Sequence, residues 1–162
     1  MTAPTLNRDF ILSDSARKLP AMHHPWRRLR DVLPDWQVVL RSLPVGLLGA
    51  TDTDRRTILL DSRMLQVQRR CTLDHELAHA EAGDVGCQHR HRETAINQAS
   101  ARRLVPIDRL LEVIVWANGL AELADECWVD VETMRCRMQH LHPAERAAVN
   151  RALASRDNEE SP

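Results

Sequence analysis

The sequence predicts an α+β protein in which a small sheet near the N-terminus packs against a mostly helical C-terminal half. Two observations indicate this fold class. Three short apolar runs, at residues 36–40, 45–50 and 57–61, are bounded by proline or turn residues and have the length of strands. After residue 70, by contrast, apolar residues recur at helical spacing for most of the remaining chain.

The N-terminal elements begin with a helix at residues 25–33, where Trp26, Leu29 and Leu33 form an apolar face at helical spacing. Residues 51–54 have turn chemistry between the second and third apolar runs. We expect the three runs to form a small antiparallel sheet. Because an isolated hairpin is marginally stable in water, this sheet must pack against the helices that follow it.

Capping signals divide the C-terminal half into helices. Thr72 is a candidate N-cap for a helix that Gly83 ends. A polar loop at residues 84–92 comes next. Further helices are predicted at residues 93–105, 108–117, 121–126 and 131–141, and from residue 143 onwards.

Length and composition indicate a single domain at residues 21–154, between a flexible leader at residues 1–20 and a disordered tail at 155–162. The 22 basic and 23 acidic residues nearly cancel, which argues against a general electrostatic grip on nucleic acid or an anionic membrane. No apolar run approaches the roughly 18 residues that span a bilayer, and residues 1–15 lack the pattern of a signal peptide. We therefore expect a cytoplasmic protein whose four cysteines are free thiols.

The chemistry of the chain is concentrated in the run His75-Glu76-Leu77-Ala78-His79. Two histidines four residues apart lie on one face of a helix, one turn apart, where both rings can bind one metal ion. Glu76 lies beside that position, where its carboxylate can hold and deprotonate a water molecule. Because zinc lowers the pKa of a bound water towards about 7, this H-E-x-x-H pattern is typical of zinc peptidases. The alternative interpretation is an exposed helix with two unrelated histidines.

Catalytic zinc usually has three protein ligands and one open position, so a third ligand is expected near the motif. Gly83 stands four residues after His79 and position 85 is valine, which excludes the H-E-x-x-H-x-x-G-x-x-H arrangement. The nearby candidates are Asp84, His89, His91 and Glu93. Glu93 stands at the start of a predicted helix, from which its side chain can project back towards His75 and His79.

The stretch from residue 57 to residue 106 resembles the ImmA/IrrE-type metallopeptidases of bacteria, phages and integrative elements. Their pattern is a strand, a basic turn and T-L-x-H-E-L-x-H, followed by a helix that reads close to E-x-x-A-N-x-x-A-x-x-L-x-P. This chain has TLDHELAH at residues 72–79 and ETAINQASARRLVP at residues 93–106. Two departures are Ile96, where the family usually has alanine, and the short connection between His79 and Glu93.

This resemblance implies a zincin-like fold, in which the sheet packs on the H-E-x-x-H helix. It implies a zinc ion, Zn2+, held by His75, His79 and Glu93, with Glu76 as general base and then general acid. The short connection keeps Asp84 open as an alternative ligand, and iron or manganese remain alternatives to zinc. Candidates for hydrogen bonds to the two imidazoles are Asp74 and Asn97.

The function that the resemblance implies is that of a zinc-dependent metalloendopeptidase. Its substrate would be a regulatory protein, such as a helix-turn-helix repressor encoded nearby, in the control of a phage, a mobile element or a stress response. Two alternatives stay open: a non-proteolytic zincin-fold regulator that acts by binding protein or DNA, and a component of a toxin–antitoxin module.

Two features of the C-terminal half bear on these alternatives. Residues 123–138 are similar to the C-terminal segment of the same family and also resemble a helix-turn-helix. No basic recognition helix stands out there, which favours a structural helix pair over a DNA-binding motif. We expect the late histidines His140 and His142 to lie at the surface rather than in the site.

Overall fold

A computed structural model of the chain describes residues 22–84 and 90–159. Within these ranges the protein is α+β and mostly helical, with a three-stranded mixed sheet and seven helices. In chain order the elements are α1 (Pro25–Val32), β1 (Gln37–Arg41), β2 (Gly49–Asp52), β3 (Thr57–Asp61), α2 (Gln66–Ala82), α3 (Arg90–Leu104), α4 (Ile107–Ile114), α5 (Leu120–Glu126), α6 (Val131–Gln139) and α7 (Pro143–Glu159).

The sheet is mixed, so the prediction of an antiparallel sheet is wrong for one strand. β3 lies in the centre, in the order β1–β3–β2, with β2 antiparallel and β1 parallel to it. The short turn at residues 53–56 joins β2 and β3 as a hairpin. The connection from β1 to β3, at residues 42–56, instead includes the whole of β2. A connection of this length allows the two strands to pair in parallel.

Strand β2 begins later than the sequence predicts. It spans Gly49–Asp52 rather than residues 45–50, and residues 45–48 form an exposed loop. Gly46 has a φ of 88°, a conformation that suits glycine and that interrupts an extended strand. The loop joins the sheet only at its end, where the Asp61 amide donates to the Leu48 carbonyl.

Helix α2 starts six residues before the predicted N-cap. Its first residue is Gln66, and the Gln68 side chain accepts a hydrogen bond from the Leu65 backbone amide in front of it. Thr72 therefore lies inside the helix and does not cap it. The C-terminal prediction is confirmed, since Gly83 adopts a left-handed conformation with a φ of 65° directly after the helix.

Two apolar cores meet at α2. The sheet-side core combines Leu29 of α1, Ile58 and Leu60 of β3, and Leu73 and Leu77 of α2. The other core is formed mainly by the C-terminal helices, and Cys71 of α2 belongs to it. Helix α2 therefore packs between the sheet and the helical half, which fixes the position of its backbone and of its buried side chains.

The C-terminal helices are held by a buried ion pair as well as by apolar contacts. Arg137 of α6 is almost fully buried and donates to the Val105 carbonyl and to both carboxylate oxygens of Glu145 on α7, at 2.7 and 2.8 Å. A buried arginine requires such partners, because an unpaired charge in the interior is costly. This pair therefore ties the last helix to the rest of the fold.

The ends of the predicted domain lie partly beyond the described residues. The leader expected at residues 1–20 is outside them. Helix α7 continues to Glu159, past residue 155 where a disordered tail was expected to start. Alanine and arginine, which favour helices, make up much of the earlier part of α7, at residues 144–154.

Cysteine chemistry and membrane segments can be stated for the described ranges. Cys71 and Cys127 are buried, Cys136 is half-buried, and all three are free thiols, as the sequence predicted. The fourth cysteine, Cys87, lies outside the described residues. Across residues 22–84 and 90–159, no helix is sufficiently long and apolar to cross a membrane.

The Arg137–Glu145 pair predicts a pH-dependent contribution to stability. Hydrogen bonds from Arg137 hold the pKa of Glu145 at about 2, below its ordinary value of 4.5. A carboxyl with a depressed folded-state pKa stabilises the fold above its unfolded pKa and loses this effect as the pH falls. In urea unfolding, wild type should be more stable than Glu145→Gln at pH 6, and the difference should shrink below pH 4.5. A difference that stays constant down to pH 3 would contradict this assignment.

Candidate metal centre

Helix α2 and the first turn of α3 bring three potential metal ligands together. His75 and His79 lie one turn apart on α2, with their Nε2 atoms 3.0 Å from each other. The Glu93 carboxylate, from α3, approaches both rings, with 3.4 Å from Oε2 to His75 Nε2 and 3.4 Å from Oε1 to His79 Nε2. All three ligand atoms lie within 4.8 Å of one another, so this group could hold a metal ion.

The separation of the two imidazole nitrogens is close to that in a tetrahedral zinc site. Ligand atoms at about 2.0–2.1 Å from a tetrahedral zinc are separated by about 3.3 Å. The two Nε2 atoms are 3.0 Å apart, and each lies 3.4 Å from a different oxygen of the Glu93 carboxylate, which therefore faces both rings. Two imidazoles and one carboxylate are also a donor set that suits zinc and leaves a fourth position for water or substrate.

Asp84, the alternative ligand, lies on the opposite side of the His79 ring. Its Oδ2 atom accepts a hydrogen bond from His79 Nδ1 at 3.1 Å, so it contacts the nitrogen that does not face Glu93. Arg92 donates to both Asp84 oxygens, at 3.0 and 2.7 Å. The hydrogen bonds from Arg92 lower the pKa of Asp84 and keep it ionised. Asp84 therefore orients His79 and holds its Nε2 towards the other ligands.

Asp74 does not contact either imidazole of the group, although the sequence made it a candidate. Its carboxylate is fully buried and accepts hydrogen bonds from His23 Nε2 at 2.6 Å, Ser100 Oγ at 2.7 Å and Arg103 Nη2 at 2.9 Å. Burial acts to raise the pKa of Asp74, but the hydrogen bond from His23 and the charge of Arg103 outweigh it and lower the pKa overall. The second candidate, Asn97, is exposed and faces the cavity described below.

Glu76 is buried next to the ligand group and is held by the sheet. The Thr51 hydroxyl of β2 lies 2.8 Å from Glu76 Oε2 and 3.1 Å from the Glu76 carbonyl oxygen. Burial raises the pKa of the Glu76 carboxyl, while the hydrogen bond from Thr51 acts in the opposite direction. A carboxylate with a raised pKa is a stronger base, which suits proton abstraction near neutral pH.

Gly49 allows the sheet to approach α2 at this point. A Cβ atom at position 49 would lie 2.6 Å from Thr72 Cγ2 and 2.9 Å from both Cγ and Oε1 of Glu76. No larger residue fits unless the Thr72 and Glu76 side chains move. The absence of a side chain at Gly49 therefore sets the distance from which Thr51 reaches Glu76.

A cavity of about 490 Å³ opens beside His75 and Glu76. Its lining comes from the β1–β2 loop and the start of β2, from α2 and α3, and from α6 with its N-cap. Its size is in the range of binding sites for small molecules or peptide side chains. Polar residues in the lining, from α2, α3 and α6, include Thr72, Asn97, Thr133, Arg135 and Gln139.

The other histidines considered from the sequence lie elsewhere. His91 is exposed in the first turn of α3 and does not join the ligand group. His140 follows α6 and lies 2.9 Å from the Cys136 carbonyl oxygen through Nδ1, and His142 is exposed before α7. Neither lines the cavity. His89 is outside the described residues.

The sequence named the four central residues but missed two of their supports. Thr51 lies 25 positions from Glu76 and carries no local signal, and the pairing of Asp84 with His79 Nδ1 depends on the left-handed turn at Gly83. A scan of protein-family models, a search of curated proteins and a search of solved structures each found no match for this chain.

Substitution of Gly49 tests the close contact between β2 and α2. Gly49→Ala should lower the free energy of unfolding by about 1–3 kcal/mol, because the new methyl group must displace Thr72 or Glu76. Thr72→Ser in the same background removes the nearest carbon and should restore part of the loss. Chemical denaturation of Gly49→Ala, the double variant and wild type measures both effects. Equal stability of Gly49→Ala and wild type would show that the contact is looser than described.

Metal titration tests the ligand group and the role of Asp84. His79→Ala and Glu93→Ala should each abolish tight zinc binding, measured by competition with a chromophoric chelator at neutral pH. Asp84→Asn keeps all three ligands but weakens the support of His79, so its zinc affinity should fall about 10–100-fold. His91→Ala removes a nearby histidine outside the group and serves as the control. Wild-type zinc affinity in His79→Ala would show that the proposed centre is not the zinc site.

Proposed function

We propose that this protein is a zinc-dependent metalloendopeptidase with a zincin-like arrangement of sheet and H-E-x-x-H helix. The observation that carries the proposal is the position of the buried Glu76 carboxylate. It adjoins a group of three potential metal ligands and lines a cavity whose size can accept part of a polypeptide. The resemblance to the ImmA/IrrE-type metallopeptidases supports the same function.

The proposed role of each residue follows from this geometry. His75, His79 and Glu93 would hold the ion, and zinc, when bound, supplies a Lewis acid that polarises the scissile carbonyl and acidifies water. Glu76 takes the proton of the attacking water and then delivers it to the leaving amine. Thr51 orients the Glu76 carboxylate, and burial keeps its pKa raised for this exchange.

The edge of the sheet supports an extended polypeptide as substrate. β2 is an edge strand in the described sheet, and its first residue, Gly49, lines the cavity together with His75 and Glu76. An extended peptide can add to such an edge through backbone hydrogen bonds, with alternate side chains entering pockets. A peptide bound in this way would lie beside Glu76, as an internal peptide bond of a protein requires.

The natural substrate that we propose is a regulatory protein, such as a helix-turn-helix repressor encoded near this gene. This part of the proposal rests on the family resemblance, since no feature of the described cavity identifies one protein. A regulator that acts only by binding would have no use for a carboxylate buried against the ligand group. Glu76 therefore favours proteolysis over the non-catalytic alternatives.

Replacement of the base tests the proposed activity. Glu76→Gln should keep the zinc affinity of wild type, because position 76 is not a ligand. Its kcat on internally quenched peptide substrates should fall by a factor of at least about 10²–10⁴, the typical contribution of a general base. Glu81→Gln makes the same change outside the site, on the same helix, and should keep wild-type activity.

Two results would contradict the proposal. One is wild-type hydrolysis by Glu76→Gln at equal zinc content. The other is a complete lack of hydrolysis by zinc-loaded wild type towards both a randomised peptide pool and the product of the adjacent gene. In the second case, persistence of the biological effect in Glu76→Gln would indicate a regulator that acts by binding.

A further inference from the structure

The loop between β1 and β2 presents apolar side chains to solvent. Val45 is 96% exposed, and Leu47 and Leu48 are 42% and 49% exposed. Together with Met64 they line a groove of about 240 Å³, which we call the loop groove. Single exposed apolar residues are ordinary on protein surfaces, but a cluster around a concave surface indicates a binding site.

The loop groove is continuous with the cavity beside Glu76. Gly46 and Leu48 line both. Leu48 is also followed directly by Gly49, the first residue of the edge strand β2. An extended chain that pairs with the edge of β2 therefore runs from the cavity onto the loop groove without leaving the surface.

The charges around the loop groove are already paired. Arg63 forms an ion pair with Asp61 and donates to the Leu43 carbonyl at 2.7 Å. No unpaired charge from these two residues remains to attract a charged side chain. The groove therefore selects for apolar side chains through the leucine, valine and methionine side chains that line it.

We propose that the loop groove binds apolar side chains of the extended polypeptide that enters the cavity beside Glu76. Insofar as that polypeptide is the substrate of a peptidase, the inference rests on the proposed function. The inference narrows the substrate class to polypeptide segments in which aliphatic residues lie a few positions from the scissile peptide bond, which would be placed beside Glu76. The binding itself is a property of the surface and can be measured without hydrolysis.

The experiment uses the full chain with the Glu76→Gln substitution, loaded with zinc, and a phage-displayed library of random dodecapeptides. Selected peptides should be enriched in Leu, Ile, Val and Met. Their Kd, measured by fluorescence anisotropy, should rise about tenfold when Val45→Ser and Leu47→Ser are added, because two apolar contacts are lost. Val32→Ser removes an exposed valine on α1, outside the loop groove, and should leave the Kd unchanged.

Three results would overturn the inference. The first is a set of selected peptides without aliphatic enrichment, and the second is an equal Kd for the parent and the Val45→Ser/Leu47→Ser variant. The third is a sedimentation velocity experiment in which the parent is dimeric and this variant is monomeric. The last would identify the loop groove as a contact between copies of this chain. The proposed function is tested separately, by incubation of the selected peptides with protein that retains Glu76. If they bind as expected but stay uncut, the groove assignment stands and the peptidase assignment fails.

Discussion

The buried carboxylate of Asp74 is the constraint on which the arrangement of α2 and α3 depends. Without solvent contact, its charge must be neutralised inside the protein, and α3 supplies two of the partners through Ser100 and Arg103. These hydrogen bonds fix α3 against α2 immediately beside His75. Glu93, two turns earlier on α3, reaches the two histidines from this anchored position. The geometry of the ligand group is thus a consequence of a buried ion pair outside it.

The ligand group and the base are positioned by different parts of the fold. The helical side sets Glu93 through α3, whereas the sheet sets Glu76 through Thr51 and the close approach at Gly49. Helix α2 carries residues for both and is held between two apolar cores. Because Glu76, His75 and His79 share one helix, changes in either core should chiefly alter the position of Glu93 and Thr51 relative to them. The cavity is lined by residues from both supports and by α6.

Local sequence patterns determined the elements better than their arrangement. The first helix, the central strand at residues 57–61 and the stop at Gly83 follow from apolar spacing and backbone preferences, which act within a few residues. The start of α2 and the parallel pairing of β1 do not. β1 pairs with one edge of β3 and β2 with the other. This choice depends on contacts between distant parts of the chain.

The sequence by itself determined the identity of the chemical groups: two histidines with a glutamate between them on one helix, and a second glutamate at the start of the next. The tertiary structure decided which groups meet. It brought Glu93 to both rings, moved Asp84 behind His79, buried Asp74 among arginine, serine and histidine, and placed Thr51 on the base. Helical periodicity fixes neighbours one turn apart, whereas contacts between elements depend on how two cores pack, which no local pattern encodes.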